Sequence, residues 1–316
     1  MPKERREKID KLQKNIERVI KGKPEVVKKA IIAILAQGHL LIEDVPGVGK
    51  TTFAHLLAAS ISCTFQRIQF TSDLLPSDIL GVSIYDPKRS EFEFKKGPIF
   101  ANIVLADEIN RTTPKTQSAL LEAMNTSRVS IDKITYQLPM PFMVIATQNP
   151  VEFHGTFPLP KAQLDRFLMR IHIGYPDLAD EIIILKEQTA LGSLDQTEHV
   201  LAAEDVLAMQ REVEEVKVDE DLLEYVGRIA AATRNSPHIE LGVSTRGALA
   251  LRRAAQAKAY YENRDYCIPD DIKVMIEPTL AHRIQVAKSF ESGSIGGHRE
   301  DEEILRQVVS DVEVPL

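Results

Sequence analysis

Three observations predict an α/β fold, with a parallel sheet covered by helices on both faces and a smaller helical part behind it. Short apolar runs alternate with helical segments through the first half of the chain. Two of these runs, Asn102 to Ala106 and Phe142 to Thr147, are apolar at nearly every position, as strands buried on both faces are. After Gly174 the apolar spacing becomes helical and no convincing strand appears.

The elements follow in order. Ile9, Leu12, Ile16, Val19 and Ile20 recur at three- and four-residue steps, which predicts an amphipathic helix with a basic outer face, ended at Gly22. Glu25 to Gln37 reads as a second helix, apolar on most faces and stopped by Gly38. Strands are expected at His39–Glu43, Thr64–Phe70, Asn102–Ala106, Phe142–Thr147 and Phe167–Ile173, with helices at Lys50–Ser60 and Lys115–Met124 between them. Helices are then expected near Ala179–Leu191, Glu204–Glu215, Glu220–Arg234, Arg246–Asn263 and Asp270–Glu277. This divides the chain into a core over 1–188 with inserts near 71–100 and 125–141, a helical part over 189–290, and an acidic tail over 291–316. The tail carries seven acids against two arginines; its Ser-Gly-rich start is expected to be mobile, and Val308, Val309, Val312 and Val314 offer a way for its end to dock.

Composition limits the function classes. Of the 316 residues 44% are hydrophobic and 27% charged, the balance of a globular protein. Aromatic residues make up 6% and Trp is absent, so the core must be aliphatic. A net charge of −7 and a pI near 5.7 argue against a nucleic-acid binder, whose affinity depends on a basic surface. Cys63 and Cys267 are far apart with no paired spacing, which suggests buried thiols in a reducing compartment. No secretory signal and no apolar run of the roughly 20 residues a membrane span requires is present, so a cytoplasmic location is expected.

The strongest local signal is Asp44-Val45-Pro46-Gly47-Val48-Gly49-Lys50-Thr51, which follows a strand and opens a helix. Such a turn aims backbone N–H groups and a helix N-terminus at phosphate oxygens. Lys50 is placed to reach the β- and γ-phosphates, and the Thr51 hydroxyl to bind Mg²⁺. The usual pattern begins with Gly, where this chain has Asp44. A second signal is Ile103-Val104-Leu105-Ala106-Asp107-Glu108, a buried strand ending in two acids at the ligand crevice of a parallel sheet. Asp107 suits a metal held through water, and Glu108 the polarisation of an attacking water. Asn149, just past another core strand, can hydrogen-bond the γ-phosphate or the water; Asn149-Pro150 also reads as a plain turn initiator.

Together with these signals, Leu105 to Arg111, Gln117 to Met124, Ala146 to Pro150, Leu159-Pro160, Gln163 to Phe167, Gln69-Phe70-Thr71, Asp73 to Asp78 and Val312 to Pro315 resemble the MoxR family of AAA+ ATPases, from about Ile16 to the C-terminus. The Asp at the start of the phosphate loop also occurs in that family. The resemblance implies an AAA+ P-loop NTPase core with a C-terminal helical lid, ATP and Mg²⁺ as ligands, and a homo-oligomeric, hexameric ring. It implies Lys50, Thr51 and the neighbouring Thr52 as phosphate-loop residues, Thr51 and Asp107 as metal ligands, and Glu108 as the catalytic acid. Asn149 matches the first sensor, Arg166 the arginine finger that completes the next subunit's site, and Arg246 the second sensor. Arg166 could instead pair with Asp165 or a nearby carboxylate, and Arg246 could be a solvated helix-start arginine. Val19-Ile20-Lys21-Gly22-Lys23 matches the adenine-side loop, with Ile20 and Gly22 as contacts and Lys23 where Gln is more usual.

A trans arginine supplies on the order of 10³ to 10⁵ in rate, so a lone subunit is expected to bind ATP and hydrolyse it slowly. The resemblance further implies chaperone-like remodelling or maturation of a protein client, or insertion of its metal cofactor, with a partner that carries a von Willebrand A domain. It also places the inserts toward the pore or top face of the ring. Other readings are a DNA-directed motor, opposed by the acidic pI, the ATPase subunit of a metal chelatase, and a nucleotide-gated scaffold, opposed by the intact Glu108, Asn149 and Arg166.

Overall fold

The computed structural model describes residues 2–149, 155–187, 198–287 and 297–315. Pro150, the continuation of a helix to Leu191, both expected limits of the helical part, and the Glu291–Gly296 stretch lie outside them.

Five parallel strands form the central sheet: β1 (Leu40–Glu43), β2 (Phe65–Gln69), β5 (Ile103–Asp107), β8 (Met143–Gln148) and β9 (Met169–Ile171), in the order β2-β5-β8-β1-β9. All five match the predicted runs. β1 and β5 are fully buried, β8 nearly so, because helices cover both faces. Successive side chains serve different layers. Leu40, Ile42, Ile103, Leu105, Met143 and Ile145 join one apolar cluster, and Leu41, Val104, Ala106, Val144 and Ala146 join the other.

The first cluster contains α1 (Pro2–Glu17), α2 (Pro24–Leu35) and α3 (Lys50–Ser60). It runs without a break into α8 (Ala203–Glu214), α9 (Glu220–Asn235), α10 (Thr245–Tyr261) and α11 (Pro269–Leu280). Pro24 starts α2 at a position where a missing N–H costs nothing, and Val26, Val27 and Ala30 to Leu35 are all buried, which explains its lack of a polar face. The second cluster holds α5 (Pro114–Thr126) and the roots of both inserts through Ile79, Ile99 and Val129.

The first insert folds as α4 (Pro76–Leu80) and a hairpin of β3 (Gly81–Asp86) with β4 (Glu91–Lys96); the second is the hairpin of β6 (Arg128–Ile131) and β7 (Ile134–Gln137). The first hairpin returns so close to its root that a Cβ on Gly97 would stand 2.3 Å from the Ile79 carbonyl oxygen. α7 (Leu178–Glu187) leads out of the core.

One expectation changes: the helical part contains a strand pair, β10 (Ile239–Leu241) with β11 (Gln285–Val286), too short to show a period in sequence. The end of the acidic segment docks, with Val308, Val309, Val312 and Val314 packed against the core, and it does so as a helix: Gly297–Ser310 forms α12 with Leu305 fully buried. Its charged side chains form ion pairs. Glu302 meets Arg170 of β9 at 3.2 Å and His172 at 3.4 Å, Asp301 meets Lys161 at 3.3 Å, and Arg306 meets Glu277 at 2.8 Å. Arg170 also reaches the buried Glu43 of β1 at 3.2 Å, so one guanidinium ties the last helix to the strand that enters the phosphate loop.

Cys63 and Cys267 are free, and burial pushes their thiols up to about 11 and about 12. No helix among the described residues is long and apolar enough to cross a membrane.

The α12 clasp responds to pH. Its hydrogen bond to Glu302 holds His172 above the ordinary imidazole value of 6.5, and the same bond holds Glu302 below its ordinary 4.5. A raised histidine stabilises the fold fully below 6.5 and loses that contribution as pH climbs through the folded value. Thermal unfolding of His172→Gln should therefore fall below wild type at pH 6 and converge with it by pH 9; an equal deficit at both pH values would remove the charge from the account.

Candidate functional site

The register of three neighbouring strands sets the site. Glu43 of β1 lies opposite Gln148 of β8, and Ala106 of β5 lies opposite Ala146 of β8. The next residues, Asp44, Asp107 and Asn149, therefore emerge together at the carboxyl ends of the strands.

The chain leaves β1 through a turn in which Gly47 and Gly49 take φ of +88° and +85°, a region that favours glycine. Gly49 caps α3, which starts at Lys50, so Lys50, Thr51 and Thr52 form the first helical turn. A Cβ on either glycine would meet nothing within 4 Å, so the turn encloses an open cradle. Lys50 Nζ donates to the Asp44 carbonyl oxygen at 2.8 Å. Burial lowers its pKa, while the charges of Asp107, Asp44 and Glu108 oppose that shift. The ammonium and the acid pair thus share one space.

Asp44 explains the missing first glycine. Its carboxylate accepts the N–H groups of Ile173 and Gly174, both at 2.7 Å, and of Val45 at 3.0 Å. A side chain thereby ties the loop to the end of β9, which a glycine could not do.

The acid pair is held by residues that sequence reading missed. Asp107 accepts from the Thr147 hydroxyl at 2.6 Å and pairs with Arg67 at 2.6 Å. Glu108 sits at φ +57°, its N–H on the Thr147 hydroxyl at 2.9 Å. Gln69 donates to its carboxylate at 3.1 Å, and Arg111 pairs with it at 3.0 Å. The signal was there: Arg67 and Gln69 alternate on β2, with Gln69 in register with Asp107. Asn149 is buried next to these groups. At the adenine-side loop, Ile20 packs on the core and Gly22 (φ +68°) lies against the Asp180 carboxylate, while Lys23 Nζ donates to the Tyr175 carbonyl at 2.7 Å.

Magnesium and a triphosphate fit this donor set. Thr51, Asp107 and Glu108 supply hard oxygens, yet no group of three His, Cys, Asp or Glu among the described residues could hold a metal. A magnesium ion keeps waters and phosphate oxygens as ligands, so it needs only one or two from the protein.

Arg166 and Arg246 are elsewhere. They line a cleft of about 340 Å³ with Gly38, His39, Phe142 and Leu168, residues that precede β1, β8 and β9. That cleft is at the amino ends of the strands, and the phosphate loop is at their carboxyl ends. The six residues of β8 alone span roughly 20 Å. Arg166 does not pair with Asp165. It donates to the Leu121 carbonyl at 2.6 Å, and Asp165 is taken by Arg283 and by the Ser244 hydroxyl. Ser244 also caps α10, so the Arg166 turn and the helix bearing Arg246 are joined. Burial lowers the Arg166 pKa and the nearby Arg246 charge lowers it further. Two like charges held together are relieved by an anion.

Comparison with known proteins places the chain. A profile described as "ATPase family associated with various cellular activities (AAA)" matches residues 39–169, and one described as "AAA lid domain" matches 231–308. Chaperone MoxR1 of Mycobacterium tuberculosis is 41% identical over 85% of this chain and 73% of its own length. The chain belongs to the MoxR family of AAA+ ATPases. YeaC of Bacillus subtilis, which carries no described function, is 50% identical over 98% of this chain and 95% of its own. A crystal structure of a proposed ATPase from Cytophaga hutchinsonii superposes with a TM-score of 0.90 at 38% identity, covering 100% of this chain and 97% of that one. This MoxR-type protein is accordingly a nucleotide-binding, ATP-hydrolysing enzyme of a class whose members assemble into oligomers.

Replacing Asp44 with Ala strands two backbone donors at the end of β9. Each buried unsatisfied donor costs about 1–3 kcal/mol, so chemical denaturation should show a loss of that order. Fluorescent-nucleotide titration should show weaker binding as the loop loses its anchor; unchanged stability and affinity would mean the carboxylate is dispensable.

Proposed function

We propose that this MoxR-type ATPase works as a homo-oligomeric, hexameric ring in which each active site is built from two subunits, and that hydrolysis of magnesium-ATP drives remodelling or maturation of a protein client. One observation carries the reading: the arginine cleft and the phosphate loop of one chain are at opposite ends of the same strands, farther apart than an arginine side chain can span. This supports a role for Arg166 and Arg246 at a neighbour's site, next to the γ-phosphate held there.

Within one subunit, Lys50 and the N–H groups of the loop bind the β- and γ-phosphates. Thr51 and Asp107 would hold magnesium, which when bound would supply positive charge to the phosphate oxygens. Glu108 accepts a proton from the water whose oxygen attacks the γ-phosphorus as the bond to the ADP oxygen breaks, and Asn149 holds that water or the phosphate. Gln69 and Arg111 restrain Glu108, so the acid must leave them to act. The joint through Asp165, Arg283 and Ser244 means that whatever moves Arg166 also moves α10. This supports the coupling of hydrolysis to motion of the helical part.

A protein client fits the surface better than nucleic acid does. The net charge is −7, and the β3–β4 hairpin exposes Val82, Ile84, Tyr85 and Phe92, an apolar edge that suits contact with protein. A partner with a von Willebrand A domain remains the partner class that the family resemblance supports.

Lys50→Ala should lose ATP affinity by at least tenfold in calorimetric titration; retained affinity would remove the loop from the site. Glu108→Gln should bind ATP normally and turn it over at least a hundredfold more slowly, and Arg166→Ala should bind normally and hydrolyse slowly. Mixing these two variants should restore part of the ATPase, because some interfaces then pair an intact Glu108 with an intact Arg166. Mixtures no faster than the mean of the two variants would oppose a site shared between subunits.

A further inference from the structure

The arginine cleft contains a third cation to which no role has been given. Arg253 follows Arg246 on α10 by seven residues, two helical turns, so both project from one face with about 10 Å of rise between them. Both line the cleft with Arg166 and Arg283. Among the described residues the nearby carboxylates meet only part of this charge: Glu122 and Asp165 act on Arg166. Asp165 is the one carboxylate lining the cleft among the described residues, and it is engaged by Arg283, whose guanidinium is also spent on the carbonyls of Thr279 and Phe167. Neither Arg246 nor Arg253 has a hydrogen bond or ion pair among the described residues, and the buried Arg166 Nε has no acceptor.

The floor of the cleft adds no negative charge. His39 accepts the Val144 N–H at 3.0 Å on Nδ1, which leaves Nε2 to donate to the Met124 carbonyl at 3.0 Å. Burial, helped by the charge on Arg253, pushes its pKa down to about 4, so the ring is neutral near pH 7. Three guanidinium groups therefore face one small cleft over a neutral base, with Glu122 and Asp165 acting on Arg166 and no ion pair on Arg246 or Arg253 among the described residues. Arginine's planar fork matches phosphate oxygens, and three such groups exceed what one carboxylate could satisfy.

The geometry points to Arg253 as a third polyphosphate-contacting arginine, which acts with Arg166 and Arg246 on the nucleoside triphosphate held by the adjacent copy. This rests on the shared-site reading above and extends it: the cleft reads whether the neighbour holds a triphosphate or a diphosphate. Arg253 is exposed in the single chain, so its substitution should leave the fold intact.

The test uses Arg253→Ala and Arg253→Lys in the full chain, with thermal unfolding as the folding control. Steady-state ATPase of the assembled Arg253→Ala protein should fall roughly ten- to a hundredfold, the range a charge-assisted hydrogen bond supplies, and the lysine should recover part of it. Sedimentation velocity in the Glu108→Gln background should show assembly weakened by Arg253→Ala with ATP but not with ADP. Equal weakening with ATP, ADP and no nucleotide would assign Arg253 to a carboxylate on the neighbour and overturn the proposal. So would wild-type turnover and assembly. Arg166→Ala run alongside separates the two levels: if it too is unimpaired, the shared site has failed; if only Arg253→Ala is unimpaired, the third arginine has.

Discussion

The structure depends on the pairing register of β1, β5 and β8. A parallel strand carries side chains to alternate faces and ends at one edge, so a shift by one residue would turn Asp107 or Asn149 away from the phosphate loop. With Glu43 opposite Gln148 and Ala106 opposite Ala146, a lysine, two acids and an asparagine from distant parts of the chain meet at one edge. The apolar layers hold that register because each strand residue belongs to one of two separate clusters.

The same parallelism separates the two halves of the chemistry. Groups at the carboxyl ends can bind and polarise a triphosphate, and groups at the amino ends cannot reach it. The arginines gather at the amino ends, where the described carboxylates meet only part of their charge. Under the proposed ring, a neighbour's arginines would supply the cations that the phosphate loop of one subunit lacks. The helical part is fastened to the core at two places: Asp165 joins the arginine turn to the cap of α10, and α12 is joined through Arg170 to the strand that enters the phosphate loop.

The parts legible in sequence were those whose chemistry is contiguous along the chain. The Gly47-Val48-Gly49-Lys50-Thr51 turn and the buried strand ending in Asp107-Glu108 identify themselves, because a few neighbouring residues must supply both the fold and the chemistry. β1, β5 and β8 were legible because burial on both faces leaves apolar runs, and β2 and β9 by their place in the alternation of strands and helices. Residues that act through tertiary contact were not. Asp44 looked like a departure from pattern until its carboxylate met the N–H groups of β9. Gln69, Arg67 and Arg111 are ordinary polar residues until Asp107 and Glu108 are set beside them. The valines of the acidic tail showed that its end could dock, but its acids gave no sign of a partner such as Arg170 far away in sequence. β10 and β11 are too short to carry a period.

The most direct test is a high-resolution structure of the assembled Glu108→Gln protein with ATP and magnesium. The account predicts Lys50, Thr51 and Asp107 of one subunit around the triphosphate, with Arg166 and Arg246 of the adjacent subunit within hydrogen-bond distance of its γ-phosphate. A ring in which both arginines face solvent, or in which a subunit's own arginines reach its own nucleotide, would contradict it.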